Sequence, residues 1–173
     1  MNWIYFPKTE EAPKHLKKIV AAFEKNSKKI NSKNNDHSNE ARLSSDEVLK
    51  ILESDFVDLG YSVEKSKQAK DKIRIPVLYG TSGKEELAFE ADGYSEKLKT
   101  VIEIEAGRAV TNYQFLKDIF QASMMVSTEY LVLSVREVYR NSNDFDKVKD
   151  FLDSIFLTNK IKLDLKGILL IGY

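Results

Sequence analysis

The residues best suited to chemistry are four carboxylates in two short β-type segments, Phe89-Glu-Ala-Asp92 and Val101-Ile-Glu-Ile-Glu105. Alternate residues of a strand share a face. Glu103 and Glu105 therefore stand together with Ile102 and Ile104 behind them, and Glu90 stands with Asp92 while Leu87, Phe89 and Ala91 point the other way. A hairpin that sets Asp92 near Glu103 gathers all four acids on one side of a sheet. Like charges placed cross-strand destabilise a fold unless something compensates them. A hard divalent ion, Mg²⁺ or Mn²⁺, takes carboxylate oxygens, keeps several waters and serves phosphate chemistry. The sequence has no Cys and only two His, His15 and His37, both in the polar N-terminal region, which argues against zinc. The competing reading is the solvated face of an antiparallel hairpin, where acids are common.

Elements on either side must hold these acids in place. Leu16, Ile19, Val20, Phe23 and Ile30 recur at helical spacing, predicting an N-terminal helix over about 9–30. A polar stretch follows and overlaps the helix end: 11 of the 14 residues from Asn26 to Asn39 are Asn, Ser or Lys, and a loop is expected over about 26–43. Ser44 with Glu47 forms a capping-box pattern for a second helix, whose buried face is Val48, Leu49, Leu52, Phe56 and Leu59, with Gly60 as its stop. Ile73 to Tyr79 reads as a strand in which Pro76 implies an edge or a bulge. Leu87 to Tyr94 and Leu98 to Glu105 read as a hairpin joined at Tyr94 to Lys97. Thr111 with Gln114 predicts a capped helix, Tyr130 to Val138 an apolar strand, Asn143 or Asp144 the cap of another helix, and Gly167 to Tyr173 a buried strand. The expected order is ααβββαβαβ, an α/β domain with a central mixed sheet flanked by helices.

Composition sets the bounds. The 173 residues are 42% hydrophobic and 31% charged, enough apolar mass for one core and one domain over 1–173. Lys+Arg and Asp+Glu each total 27, so a wholesale polyanion binder is not expected. No apolar run is long enough to span a membrane, and Met1 to Pro13 carries no secretory pattern, so a cytoplasmic protein is expected.

Asp92, ten intervening residues and then Glu103-Ile-Glu105 resemble the D…(D/E)xK hairpin of the restriction-endonuclease-like, PD-(D/E)xK nuclease superfamily. Glu105 stands where Lys is usual, as in the BamHI-type variant; BglII-type enzymes also depart from Lys there. The helix before the meander, the helix after the motif and the apolar strand after that follow the order of the fold. Glu103-Ile-Glu-Ala-Gly-Arg108, Leu131-Val-Leu-Ser-Val-Arg-Glu-Val-Tyr139 and Gly167-Ile-Leu-Leu-Ile-Gly-Tyr173 also resemble an uncharacterised family of small bacterial proteins, with no activity attached.

The nuclease resemblance implies a Mg²⁺- or Mn²⁺-dependent endonuclease acting on DNA, of restriction or defence type, or a catalytically silent DNA-binding or assembly subunit on the same fold. Asp92 and Glu103 would be metal ligands, with the Ile104 carbonyl as a further one, and Glu105 would orient or deprotonate the attacking water. A Glu in the Lys position removes a cation that could stabilise the developing phosphorane; a second metal, Arg108 or Lys117 would have to supply it. Glu47 is the candidate acid from the preceding helix, against its role in the capping box. Phosphate contact requires cations around the acids, and the run Lys65, Lys67, Lys70, Lys72 and Arg74 is the candidate. If the protein reads sequence, it is expected to do so with loops around the active site, as a two-fold homodimer.

Overall fold

The computed structural model describes residues 1–32, 43–107, 109–140 and 142–173. The heart of the predicted polar loop, with His37, and the candidate Arg108 lie outside the described residues. The elements run β1 (Asn2–Phe6), α1 (Lys14–Ile30), α2 (Ser45–Asp58), β2 (Ser62–Val63), β3 (Ile73–Tyr79), β4 (Glu85–Ala91), β5 (Gly93–Ser95), β6 (Thr100–Glu105), α3 (Gln114–Met124), β7 (Tyr130–Val135), α4 (Asp144–Thr158) and β8 (Gly167–Gly172). Six strands form a mixed sheet in the order β1-β8-β7-β6-β5-β2. β6, β7 and β8 are parallel, and β1, β5 and β2 join antiparallel. The protein is therefore α/β, with helices on both faces of a mixed sheet.

The three central strands are apolar on both faces because both are covered. Ile102, Ile104, Val132, Leu169 and Ile171 pack with α1 and α2 through Leu16, Phe23, Leu52 and Phe56. Val101, Leu131, Leu133, Ile168 and Leu170 pack on the other face with Phe115, Ile119, Val148 and Leu152 of α3 and α4. The predicted cap of α2 forms: Ser44 Oγ accepts from the Glu47 N–H at 3.3 Å, and Glu47 accepts from the Ser44 N–H at 2.7 Å. Among the described residues no helix is long and apolar enough to cross a membrane.

Four expectations are corrected. The chain opens with a strand, β1, whose Trp3-Ile-Tyr-Phe run pairs with β8. The predicted first hairpin strand is two strands that part at Asp92. β4 pairs with β3 in a separate two-stranded ribbon, and β5 crosses into the main sheet against β6. The approach is close at Gly93, where a Cβ would lie 3.3 Å from the Ile102 Cβ. The Thr111–Gln114 capping box does not form: Asn112 and Tyr113 take left-handed backbone, φ 58° and 54°, and α3 starts at Gln114 without a side-chain cap. The strand expected to reach Val138 ends at Val135, where the β8 register ends at Gly172.

Candidate functional site

β6 delivers Glu103 and Glu105 to the α3 side of the sheet, alongside Val101, while Ile102 and Ile104 fill the core on the other side. The acids stand at the carboxyl end of a parallel strand, the end at which open α/β sheets place ligands. Asp92 arrives at the point where the chain leaves the ribbon and enters the sheet. β5 begins only at Gly93, opposite Ile102, so no strand residue serves the Ile104 N–H on that edge. The Asp92 carboxylate serves it instead, accepting at 2.8 Å. The Ile104 carbonyl faces the same edge as its N–H, as strand geometry requires.

These groups line a cleft of about 170 Å³ together with Glu64, Lys67, Lys72, Glu90, Gln114, Lys117 and Asp118. The structure thus brings the carboxylates Asp92, Glu103 and Glu105 to one cleft, with Lys117, a candidate cation of the resemblance, on its wall. Glu90 lines the same cleft from its rim on the ribbon, where Lys72 bridges it at 3.2 Å and Glu64 at 3.0 Å.

The electrostatics of the cleft are set by burial and then by mutual repulsion. Loss of water pushes the Asp92 carboxyl up to about 6, with the charges of Glu64 and Asp118 adding to it and the Ile104 N–H opposing. Glu103 is held well above the ordinary carboxylate range by burial, then by Asp92, Asp118 and Glu105, with Lys117 pulling the other way. Glu105 is raised to about 8 by burial and by Asp118 beside it. Asp118 is itself raised by burial, against its contact with Glu105 and the Lys117 charge. Each of Asp92, Glu103 and Glu105 keeps partial contact with the cleft's solvent, yet protein encloses all three closely enough that they favour a proton.

Among the described residues no group of three or more His, Asp or Glu side chains is placed to hold a metal ion. What the cleft offers is pairs: Asp92 beside Glu103, and Glu105 beside Asp118. Mg²⁺ is commonly held by one or two carboxylates, with waters and substrate oxygens completing its octahedron. The donor chemistry therefore fits such an ion. So does a buried oxygen, Asp118 Oδ2, that has no hydrogen-bond partner among the described residues.

Other predicted residues are placed elsewhere. Glu47 is exposed and its carboxylate is taken by Ser44; its neighbour Ser45, not Glu47, lines the cleft. In the basic run, Lys67 pairs with Asp46 at 2.9 Å, Lys72 with Glu64 and Glu90, and Arg74 with Glu85 at 2.9 Å. Lys65 and Lys70 are exposed. Comparison with family models, curated proteins and solved structures finds no match to this chain. The site's meaning rests on its own chemistry.

Sequence reasoning missed Asp118, Glu64 and the clamp role of Lys72. Asp118 did leave a signal: it occupies the inward stripe of α3 with Phe115, Ile119 and Ala122, and a charged residue on a core-facing stripe is costly unless used.

Proposed function

We propose that this chain is a Mg²⁺- or Mn²⁺-dependent phosphodiesterase that cleaves DNA, built on the restriction-endonuclease-like plan and of restriction or defence type. The observation that carries the reading is Glu103. It lies deep among Asp92, Glu105 and Asp118, with Lys117 as the cation that opposes its proton affinity. A fold with 27 basic residues leaves these acids so enclosed at a cost, and a bound divalent ion offsets that cost.

In this reading Asp92, Glu103 and the Ile104 carbonyl hold the ion. When bound, it lowers the pKa of a coordinated water and neutralises phosphate charge. Glu105 orients and deprotonates the attacking water. Lys117, exposed at the cleft mouth, faces the scissile phosphate and supplies the positive charge that the usual Lys position lacks. Lys65 and Lys70 contact the flanking backbone, and two copies related by a two-fold axis act on a duplex.

The test is cleavage of duplex, single-stranded and modified DNA with each metal, in the wild type and in Asp92→Ala and Glu103→Ala. Metal-dependent cutting that both variants lose, while circular dichroism reports an intact fold, supports the reading. A second reading, a catalytically silent DNA-binding or assembly subunit, is favoured by the ion pairs that occupy Lys67, Lys72 and Arg74. Wild type that is inert on all three substrates with both metals makes that second reading the better one.

A further inference from the structure

We propose that the slot between the carboxyl end of α3 and the segment leading into β8 binds a neutral nucleobase, taken as the free base or its nucleoside. The site goes beyond the phosphodiesterase reading and does not depend on it. It lies where the chain enters β7 and β8, at the opposite end of these strands from the acidic cleft.

The slot is a cavity of about 500 Å³, an ordinary size for a small-molecule site. Ser123, Met124, Met125 and Thr128 line it from one segment, Leu163 and Leu165 from the other. The two segments are joined where the Lys166 N–H donates to the Glu129 carbonyl at 2.7 Å. The first is also held by its own turn and by the ribbon. The Thr128 N–H donates to the Met125 carbonyl at 3.2 Å, Ser127 takes left-handed backbone at φ 62°, and the Val126 N–H donates to the Pro76 carbonyl at 2.8 Å. The slot is therefore pre-formed.

Two hydroxyls of this segment have no work within the fold. Thr128 is 8% exposed, and neither its Oγ1 nor the Ser123 Oγ meets a hydrogen-bond partner among the described residues. A buried hydroxyl left unserved is costly, and each hydroxyl both donates and accepts. A pair of them matches the alternating donors and acceptors along the edge of a base, each turning to the ligand by a change of staggered rotamer. The other groups named are apolar, and Met124 is still 49% exposed. A thioether beside an aromatic ring is a favourable contact, so a flat heterocycle suits the slot better than an aliphatic ligand. Charge decides between a base and its phosphate ester. Glu129 and Asp164 line the slot with Lys166, and Glu129 already holds Lys166 at 2.7 Å and Lys99 at 2.8 Å. A phosphate would meet two carboxylates there, with the lysine of the lining already engaged.

The experiment is a titration of the full chain, isotope-labelled at its methionine methyl groups, with adenosine, cytidine and adenosine monophosphate. Binding is read by nuclear magnetic resonance and folding by near-ultraviolet circular dichroism. The expected result is that a nucleoside shifts the Met124 and Met125 methyl signals and not that of Met1. Its Kd should lie below about 1 mM, with the monophosphate at least about tenfold weaker. Thr128→Val and Ser123→Ala are each expected to weaken nucleoside binding by about tenfold; Ser123→Ala carries the test should Thr128→Val fail to fold. Asp92→Asn should leave the Kd unchanged. Absence of a shift with both nucleosides overturns the site, as does an unchanged Kd in the folded hydroxyl variants. A monophosphate that binds as tightly as adenosine overturns the neutral ligand. Binding lost in Asp92→Asn moves the ligand to the acidic cleft and overturns the slot.

Discussion

The two ends of the central parallel strands treat glutamate in opposite ways. At the amino end, just before β7, Glu129 is gripped by Lys99 at 2.8 Å and Lys166 at 2.7 Å, and these partners hold its carboxyl below the usual range. At the carboxyl end, Glu103 stands among three other acids and is driven well above that range. The same chain supplies both environments from equal numbers of acids and bases. Lysines neutralise the first end, whereas the second concentrates negative charge in an enclosed space. That contrast is the ground on which a ligand is proposed for the carboxyl end.

On the proposed reading, the contrast breaks most severely when Asp92 or Glu103 is lost. Asp92→Ala or Glu103→Ala should lower Mg²⁺-dependent DNA cleavage by at least about 10³-fold, some 4 kcal/mol of transition-state stabilisation, measured as initial rates on a labelled duplex. The next largest effect is on stability against pH. The Asp92 carboxyl rises from 3.8 to about 6 on folding, so the native state binds its proton more tightly than the unfolded chain does. Stability is then full below about pH 4 and falls as pH rises through 6, by up to about 3 kcal/mol from this group. Denaturant melts of the metal-free protein at several pH values read this loss. Mg²⁺ should reduce it, and Asp92→Asn should flatten the curve.

Smaller changes sharpen the same comparison. Glu103→Gln removes charge from the crowded end and should stabilise the metal-free protein at alkaline pH by roughly 1–2 kcal/mol, seen as a higher Tm. Glu129→Gln should do the reverse, lowering Tm by less than Glu103→Gln raises it. That small effect should disappear in roughly 1 M salt, where exposed pairs are screened. A rise in Tm for Glu129→Gln, or a fall for Glu103→Gln, would erase the distinction between the two ends.

How much of this was legible beforehand depends on the range of the signal. Glu103 and Glu105 could be read because alternation within one strand fixes their common face. Asp92 could be read because its spacing from Glu103 fits a return of the chain. Glu90 reaches the cleft only at its rim, because the break at Asp92 sends β4 into a ribbon with β3, and its Lys72 partner lies on the loop leading into that ribbon. Asp118 was legible only as a charge out of place on the inward stripe of its helix, where Phe115, Ile119 and Ala122 carry the pattern. The α2 cap is local and was legible, whereas the Thr111–Gln114 cap failed because left-handed residues intervene. β1 is five residues long, and its partner is the farthest strand in the sequence; nothing local announces it.

That last pairing sets the order in which the molecule can assemble. Asn2 meets Gly172 and Phe6 meets Ile168, so the outer margin of the sheet closes only after nearly the whole described chain has been gathered. Long-range closure of this kind slows refolding, to roughly milliseconds or longer rather than microseconds. Until it happens, β8 presents an unpaired hydrogen-bonding row flanked by Ile168, Leu169, Leu170 and Ile171, a template for association with other copies during expression or renaturation.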